Sequence, residues 1–108
     1  MSNFIFEHRY ECMIKLAVDA DERAPGGAVT VSLCGQWDHE GLCRWPHYST
    51  LETLADGLSR LVVDFNAVPQ EVELVRAKIK AGVETERLIG PDGRLSEWRV
   101  YKNKGGSA

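Results

Sequence analysis

Histidine, cysteine and tryptophan side chains are concentrated between residues 34 and 48 of the chain. Four of them could ligate a soft metal in the pattern Cys-x4-His-x3-Cys-x3-His: Cys34, His39, Cys43 and His47. Two thiolates and two imidazoles form a tetrahedral set that zinc accepts. The even spacing differs from the two close ligand pairs of common structural zinc sites. A domain that binds zinc or another transition metal is therefore one interpretation, and zinc is the only cofactor that the sequence suggests.

The same segment contains residue types that dominate binding surfaces. Tryptophan and arginine are frequent hot spots, and Trp45-Pro46 beside Arg44 would form a rigid aromatic and cationic anchor. We favour a small soluble binding or interaction module of unknown specificity, whose partner is an unidentified small molecule or protein. The residues expected to form its binding surface are Trp37, His39, Arg44, Trp45 and His47.

Two further interpretations of this segment stay open. Cys43 lies beside Arg44 and near two histidines, so a cysteine–histidine enzyme is a third hypothesis, although no orienting residue or oxyanion-hole motif accompanies it. We assign no catalytic residue and lean against an enzyme. Alternatively, Trp37 and Trp45 cover an open end of a sheet, and the histidines are simply hydrogen-bonded within the fold.

Composition narrows the classes of protein. A chain of 108 residues fits a single domain, expected over residues 1–103 with a flexible tail at 104–108. The net charge of −3 and the dispersed basic residues argue against a nucleic-acid partner. No apolar run is long enough to span a bilayer, so we expect no membrane partner. Three cysteines favour free thiols or metal ligands and a cytoplasmic protein. A homodimer is possible if an apolar strand is exposed.

Hydrophobic periodicity predicts the elements. Apolar alternation indicates strands at 10–18 and 28–34, joined by a solvent loop at 19–27. Asp56-Gly57 favours a hairpin with a type I′ turn within 48–65, with a short helix at 50–57 as the alternative. Helical spacing predicts one helix at 70–81, with Gly82 at its exit. Strands at 84–89 and 94–101 flank a turn at 90–93.

Together these elements predict an α+β fold. We expect a mostly antiparallel sheet of about five or six strands, in the order β-β-β-β-α-β-β, with one amphipathic helix packed on one face. The segment at 35–49 should then form a loop at one end of the sheet, which would bring its Trp, His and Cys side chains together.

Overall fold

The computed structural model describes residues 6–34, 45–90 and 92–103. They form an α+β fold with a five-stranded antiparallel sheet and two α-helices. In chain order the elements are β1 (His8–Leu16), α1 (Ala24–Cys34), β2 (His47–Thr53), β3 (Leu58–Phe65), α2 (Val72–Val83), β4 (Arg87–Ile89) and β5 (Leu95–Asn103), with short 3-10 turns at Ala55–Gly57 and Pro69–Glu71. None of the described helices is long and apolar enough to cross a membrane.

The strands lie in the order β2-β3-β1-β5-β4, and each neighbouring pair is antiparallel. Helix α1 connects β1 to β2, and α2 lies between β3 and the β4–β5 hairpin. Without β4, this connectivity is the ferredoxin-like β-α-β-β-α-β arrangement. Strands β2 and β4 therefore form the two edges of the described sheet.

One face of the sheet is buried beneath the helices. Alternate residues of the central strands point to this face, as the period of two requires. They form the core with valines and an isoleucine of the helices: Tyr10, Cys12, Ile14, Leu61, Val63, Phe65, Val29, Val75, Ile79 and Val83. The opposite face is more exposed and carries ion pairs between neighbouring strands, such as Arg9 with Asp64.

Helix α1 corrects the predicted order of elements. Residues 28–34 were expected to form a strand and 19–27 a loop, but Ala24–Cys34 is a helix, so the second element is α and the fold has two helices. The Asp21 carboxylate accepts a hydrogen bond from the Arg23 backbone N–H at 2.9 Å and stabilises the turn immediately before the helix. Pro25 is tolerated because the first turn of a helix leaves its N–H groups without intrahelical partners.

Contacts with α2 explain why α1 is helical despite its two glycines and β-branched residues. A Cβ atom added to Gly82 would lie 2.8 Å from the carbonyl oxygen of Ala28, so the two helices approach closely there. The Ser32 hydroxyl also donates a hydrogen bond to the Lys78 carbonyl. Gly82 was predicted to end α2, but it lies inside the last turn, and this close packing accounts for the glycine.

The structure confirms the other predicted elements with shifted bounds: β1 is His8–Leu16 rather than 10–18, and β4 is Arg87–Ile89 rather than 84–89. Helix α2 occupies most of the predicted range, and Pro69 lies in the turn that precedes it. Asp56 and Gly57 both have positive φ angles, 62° and 75°, as a type I′ turn requires. Residues 47–53 therefore belong to a hairpin strand rather than a helix. The β4–β5 hairpin is also present, and Gly93 adopts a left-handed φ of 83°.

Candidate functional site

Trp45 is a buried anchor immediately before β2. Its side chain is only 6% exposed, and its indole N–H donates a hydrogen bond to Glu71 Oε1 at 3.0 Å. The Lys78 ammonium lies 5.9 Å from the centre of the indole ring, within the range of a cation–π interaction. These contacts hold Trp45 against the beginning and the middle of α2. Its burial fits a structural role, and the predicted role in binding a partner remains a prediction.

His47 is the first residue of β2, and both of its ring nitrogens have partners. Nδ1 lies 3.0 Å from the Trp45 carbonyl oxygen, and Nε2 lies 3.0 Å from Thr30 Oγ1 on α1. A carbonyl can only accept, so the hydrogen must be on Nδ1. In the neutral imidazole, Nε2 then accepts the hydrogen bond of the Thr30 hydroxyl. His47 thus links the start of β2 to α1, at the end of a strand rather than in the predicted loop.

A cleft of about 480 Å³ opens between α1 and β2 beside this link. Thr30 and Gly26 line its helical wall, and Ser49 and Leu51 line the strand. The walls are close: a Cβ atom added to Gly26 would lie 3.1 Å from Ser49 Cβ. Because hydroxyl groups and an imidazole face a space of this size, the cleft suits a ligand that forms hydrogen bonds.

Ser49 provides the strongest sign of binding in this cleft. Its Oγ is inaccessible to solvent and has no hydrogen-bond partner among the described residues. Buried polar groups are almost always hydrogen-bonded, since leaving one unsatisfied costs about 1–3 kcal/mol. Ser49 is also one of the residues that line the cleft, so a change of its side-chain rotamer would bring this covered hydroxyl to a ligand.

Other clefts of the described residues lack this combination. A larger cleft of about 600 Å³ lies near the ends of β1 and β5, and its polar lining consists mainly of charged side chains of both signs, such as Lys15 and Glu97. A smaller one of about 180 Å³ contains Arg60, whose buried Nε has no partner, but the same guanidinium forms an ion pair with Glu52 at 2.8 Å. We therefore take the cleft between α1 and β2 as the candidate site.

Charges at the mouth of the cleft are balanced. Glu22 and Arg23 both line it. The Arg23 guanidinium donates to both carboxylate oxygens of Asp21, and these hydrogen bonds hold the pKa of the Asp21 carboxyl below its ordinary value. The same pairing raises the pKa of Arg23. The described lining therefore has no excess of either charge and offers no concentrated field for a highly charged ligand.

The structure brings together only part of the predicted site. His47 lies in the cleft and Trp45 is buried next to it, whereas Trp37, His39, Cys43 and Arg44 lie outside the described residues. In the described part of the chain, no three His, Cys, Asp or Glu side chains cluster closely enough to hold a metal ion. Two of the four proposed zinc ligands belong to the segment that is not described, so the zinc site stays a prediction.

Cys34, at the end of α1, is disulfide-bonded, and its partner lies outside the described residues. This differs from the expectation that the cysteines are free thiols or metal ligands. A metal is bound by a thiolate, so Cys34 could serve as a zinc ligand only in the reduced protein. Cys12 is free and buried in the core, and burial raises the pKa of its thiol to about 12.

Sequence patterns did not single out Thr30 and Ser49. Serine and threonine are common in every class of structure, and Thr30 was assigned to a strand. One signal was available for Ser49: it is two residues from His47, so a strand places both side chains on the same face. Comparisons with protein-family models, with curated proteins and with solved structures found no match for this chain.

Proposed function

We propose that this chain is a binding module whose ligand occupies the cleft between α1 and β2. The observation that carries the proposal is Ser49, a residue that lines the cleft and whose buried hydroxyl has no partner among the described residues. A ligand that donates to or accepts from this hydroxyl would remove its desolvation cost on binding. The buried hydroxyl lowers the stability of the free protein. Its hydrogen bond to a bound ligand would explain why the chain has a serine at this position.

The volume and rigidity of the cleft also favour binding. About 480 Å³ is within the range of roughly 300–1,000 Å³ typical of ligand pockets. The bonds of His47 to Thr30 and to the Trp45 carbonyl fix the relative positions of helix and strand, so little order must be gained on binding. Because both ring nitrogens are engaged, we assign His47 a role in shaping the cleft rather than in proton transfer.

Residues 35–44 join the two walls of this cleft in sequence, since they connect α1 to β2. We retain Trp37, His39 and Arg44 as candidate contributors to the binding surface on the strength of their residue types. Zinc binding by Cys34, His39, Cys43 and His47 remains the alternative function. Its test is elemental analysis of reduced protein purified without chelator, where one equivalent of zinc supports it. A cytoplasmic location, a homodimeric state and the lack of a nucleic-acid partner remain expectations from the sequence.

The proposed function is tested by a ligand screen with a matched pair of variants. A library of small polar fragments is screened by NMR against the wild-type protein, Ser49→Ala and Ser32→Ala. Ser32 is the control because its hydroxyl already bonds to Lys78 within the fold. We expect fragments that shift the resonances of Thr30 and Ser49 and that bind at least about fivefold more weakly to Ser49→Ala, as the loss of one hydrogen bond predicts. Binding elsewhere, or equal binding to Ser49→Ala, would contradict the proposal.

A further inference from the structure

Strand β2 uses only half of its peptide groups to pair with β3. Just before the strand, the Asn66 N–H donates to the Pro46 carbonyl at 3.0 Å, and just after it the Leu54 N–H donates to the Leu58 carbonyl at 2.7 Å. The register between these two bonds is regular. In an antiparallel pair, residues bonded to the partner strand alternate with residues whose N–H and C=O groups point the other way. Even-numbered residues of β2 therefore bond to β3.

The odd-numbered residues direct their peptide groups to the open edge of the sheet. These residues are His47, Ser49, Leu51 and Thr53. Proteins usually protect such edges with lysine, proline, a bulge or a very short strand. The other edge of the described sheet, β4, is three residues long and begins with Arg87. Strand β2 is seven residues long and has none of these devices, and its outward peptide groups have no partner strand among the described residues.

The cleft lies along this edge. Its lining includes Ser49 and Leu51, which point to the helical face of the sheet, and also Tyr48 and Thr50, which point to the opposite face. A cleft can contact both faces of one strand only if it follows the edge between them. The outward peptide groups of β2 therefore border the same space as Ser49, whose buried hydroxyl has no partner among the described residues, and α1 is the outer wall of that space.

We infer that the ligand is an extended peptide segment of another protein, which pairs with β2 as a sixth strand; this inference rests on the proposed function. Strand addition supplies backbone hydrogen bonds, while alternate side chains of the peptide enter the cleft. One of them would meet Ser49, and the next on that face would meet Leu51 and Leu61. The expected sequence pattern is thus a hydrogen-bonding residue, any residue, then an apolar residue. The balanced charges of Glu22 and Arg23 suit a neutral backbone better than a phosphorylated or polyanionic ligand.

A peptide selection followed by an N-methyl scan tests this inference. A phage library of random linear peptides is selected on the immobilised wild-type protein, and the strongest binder is synthesised. Each of its peptide nitrogens is then methylated in turn, and the affinity is measured by calorimetry. We expect methylation at alternate positions to weaken binding about tenfold, because one backbone hydrogen bond is lost at each. Methylation at the intervening positions should change the affinity less than about twofold.

The outcomes separate this inference from the proposed function. If fragments bind the cleft but no peptide does, strand addition is wrong and the proposed function stands. The same conclusion follows if a peptide binds the cleft but methylation of its backbone has no alternating effect. If no peptide binds and the protein self-associates through β2, as shown by a loss of the dimer in Thr53→Pro, the occupant is a second copy and the inference is wrong. If neither peptides nor fragments bind the cleft, both are wrong.

Discussion

The hydroxyl of Ser49 has opposite consequences for stability and for binding. It is buried without a partner among the described residues, so it destabilises the free fold, and its residue lines the cleft in which we place the ligand. Thr30 and His47, by contrast, satisfy each other and stabilise the junction of helix and strand. Residues that reduce stability without a structural gain are often found at functional sites.

Replacing Ser49 should therefore stabilise the protein. We expect Ser49→Ala to raise the free energy of unfolding by about 1 kcal/mol, because an unsatisfied buried hydroxyl is removed. The control is Ser32→Ala, which breaks a hydrogen bond to the Lys78 carbonyl and should lower the free energy of unfolding by about 1 kcal/mol. Urea denaturation measures both. If Ser49→Ala is as destabilising as Ser32→Ala, the Ser49 hydroxyl is satisfied in the native fold.

The buried thiol of Cys12 should make the free energy of unfolding depend on pH in the alkaline range. The pKa of its thiol is raised from 9.0 to about 12, first by burial and then by the negative charge of Glu84. Above pH 9 the unfolded chain loses this proton and the folded protein keeps it, so the free energy of unfolding should fall as pH rises from 9 toward 12. The expected slope is about 1.4 kcal/mol per pH unit. Urea denaturation from pH 8 to 11 should show this slope in the wild type relative to Cys12→Ala; parallel curves would mean that the thiol ionises in the folded state.

At the scale of the element, the alternation of peptide groups along β2 can be tested with two matched prolines. Thr50 pairs with Val62, so its N–H bonds to β3, whereas the N–H of Thr53 points to the open edge. Proline removes that hydrogen. We expect Thr50→Pro to lower the free energy of unfolding by about 1–3 kcal/mol more than Thr53→Pro, as measured by urea denaturation. If the two variants lower the free energy of unfolding equally, the odd-numbered residues of β2 do not form the open edge.

The contact between α1 and α2 predicts the effect of a methyl group at Gly82. Replacing glycine by alanine within a helix usually stabilises it by roughly 0.5–1 kcal/mol. Here the added Cβ would lie 2.8 Å from the Ala28 carbonyl oxygen, so we expect Gly82→Ala to destabilise the protein by about 1–3 kcal/mol. The neighbouring variant Ala81→Gly measures helix propensity alone and should cost about 0.5–1 kcal/mol. A Gly82→Ala variant with a higher melting temperature than the wild type would refute this packing.

Elements specified by local sequence were predictable, and those specified by distant contacts were not. The Asp56-Gly57 turn and the apolar stripe of α2 depend on neighbouring residues, so their patterns predicted them. Helix α1 depends on its packing against Gly82, about fifty residues away, and its alternating Val29, Val31 and Leu33 resembled a strand. Tertiary contacts commonly override weak local propensity in this way.

The same distinction applies to the candidate site. Residue types alone drew attention to Trp45 and His47, and the structure places both at the start of β2. The cleft itself arises because α1 passes beside β2. This arrangement brings Thr30 close to His47, although the two residues are 17 positions apart in the sequence. No pattern of spacing could reveal Ser49 as unsatisfied, because that property depends on the atoms that surround it.

At the scale of the whole molecule, the two edges of the sheet are unequal. Strand β4 is short and charged, whereas β2 is long, regular and bordered by a polar cleft. The two helices cover one face of the sheet, and α1 reaches the β2 edge without closing it. This asymmetry leaves one place in the described fold where an added strand would find free peptide groups, a wall and an unsatisfied hydroxyl together.

Backbone amide hydrogen exchange along β2, measured by NMR with and without the selected peptide, tests this account most directly. In the free protein, the amides of Tyr48, Thr50 and Glu52 should exchange slowly, and those of Ser49 and Leu51 should exchange quickly. On binding, the amides of Ser49 and Leu51 should become protected. If their exchange is already slow in the free protein, or does not change when the peptide binds, β2 is not an open edge that accepts a strand.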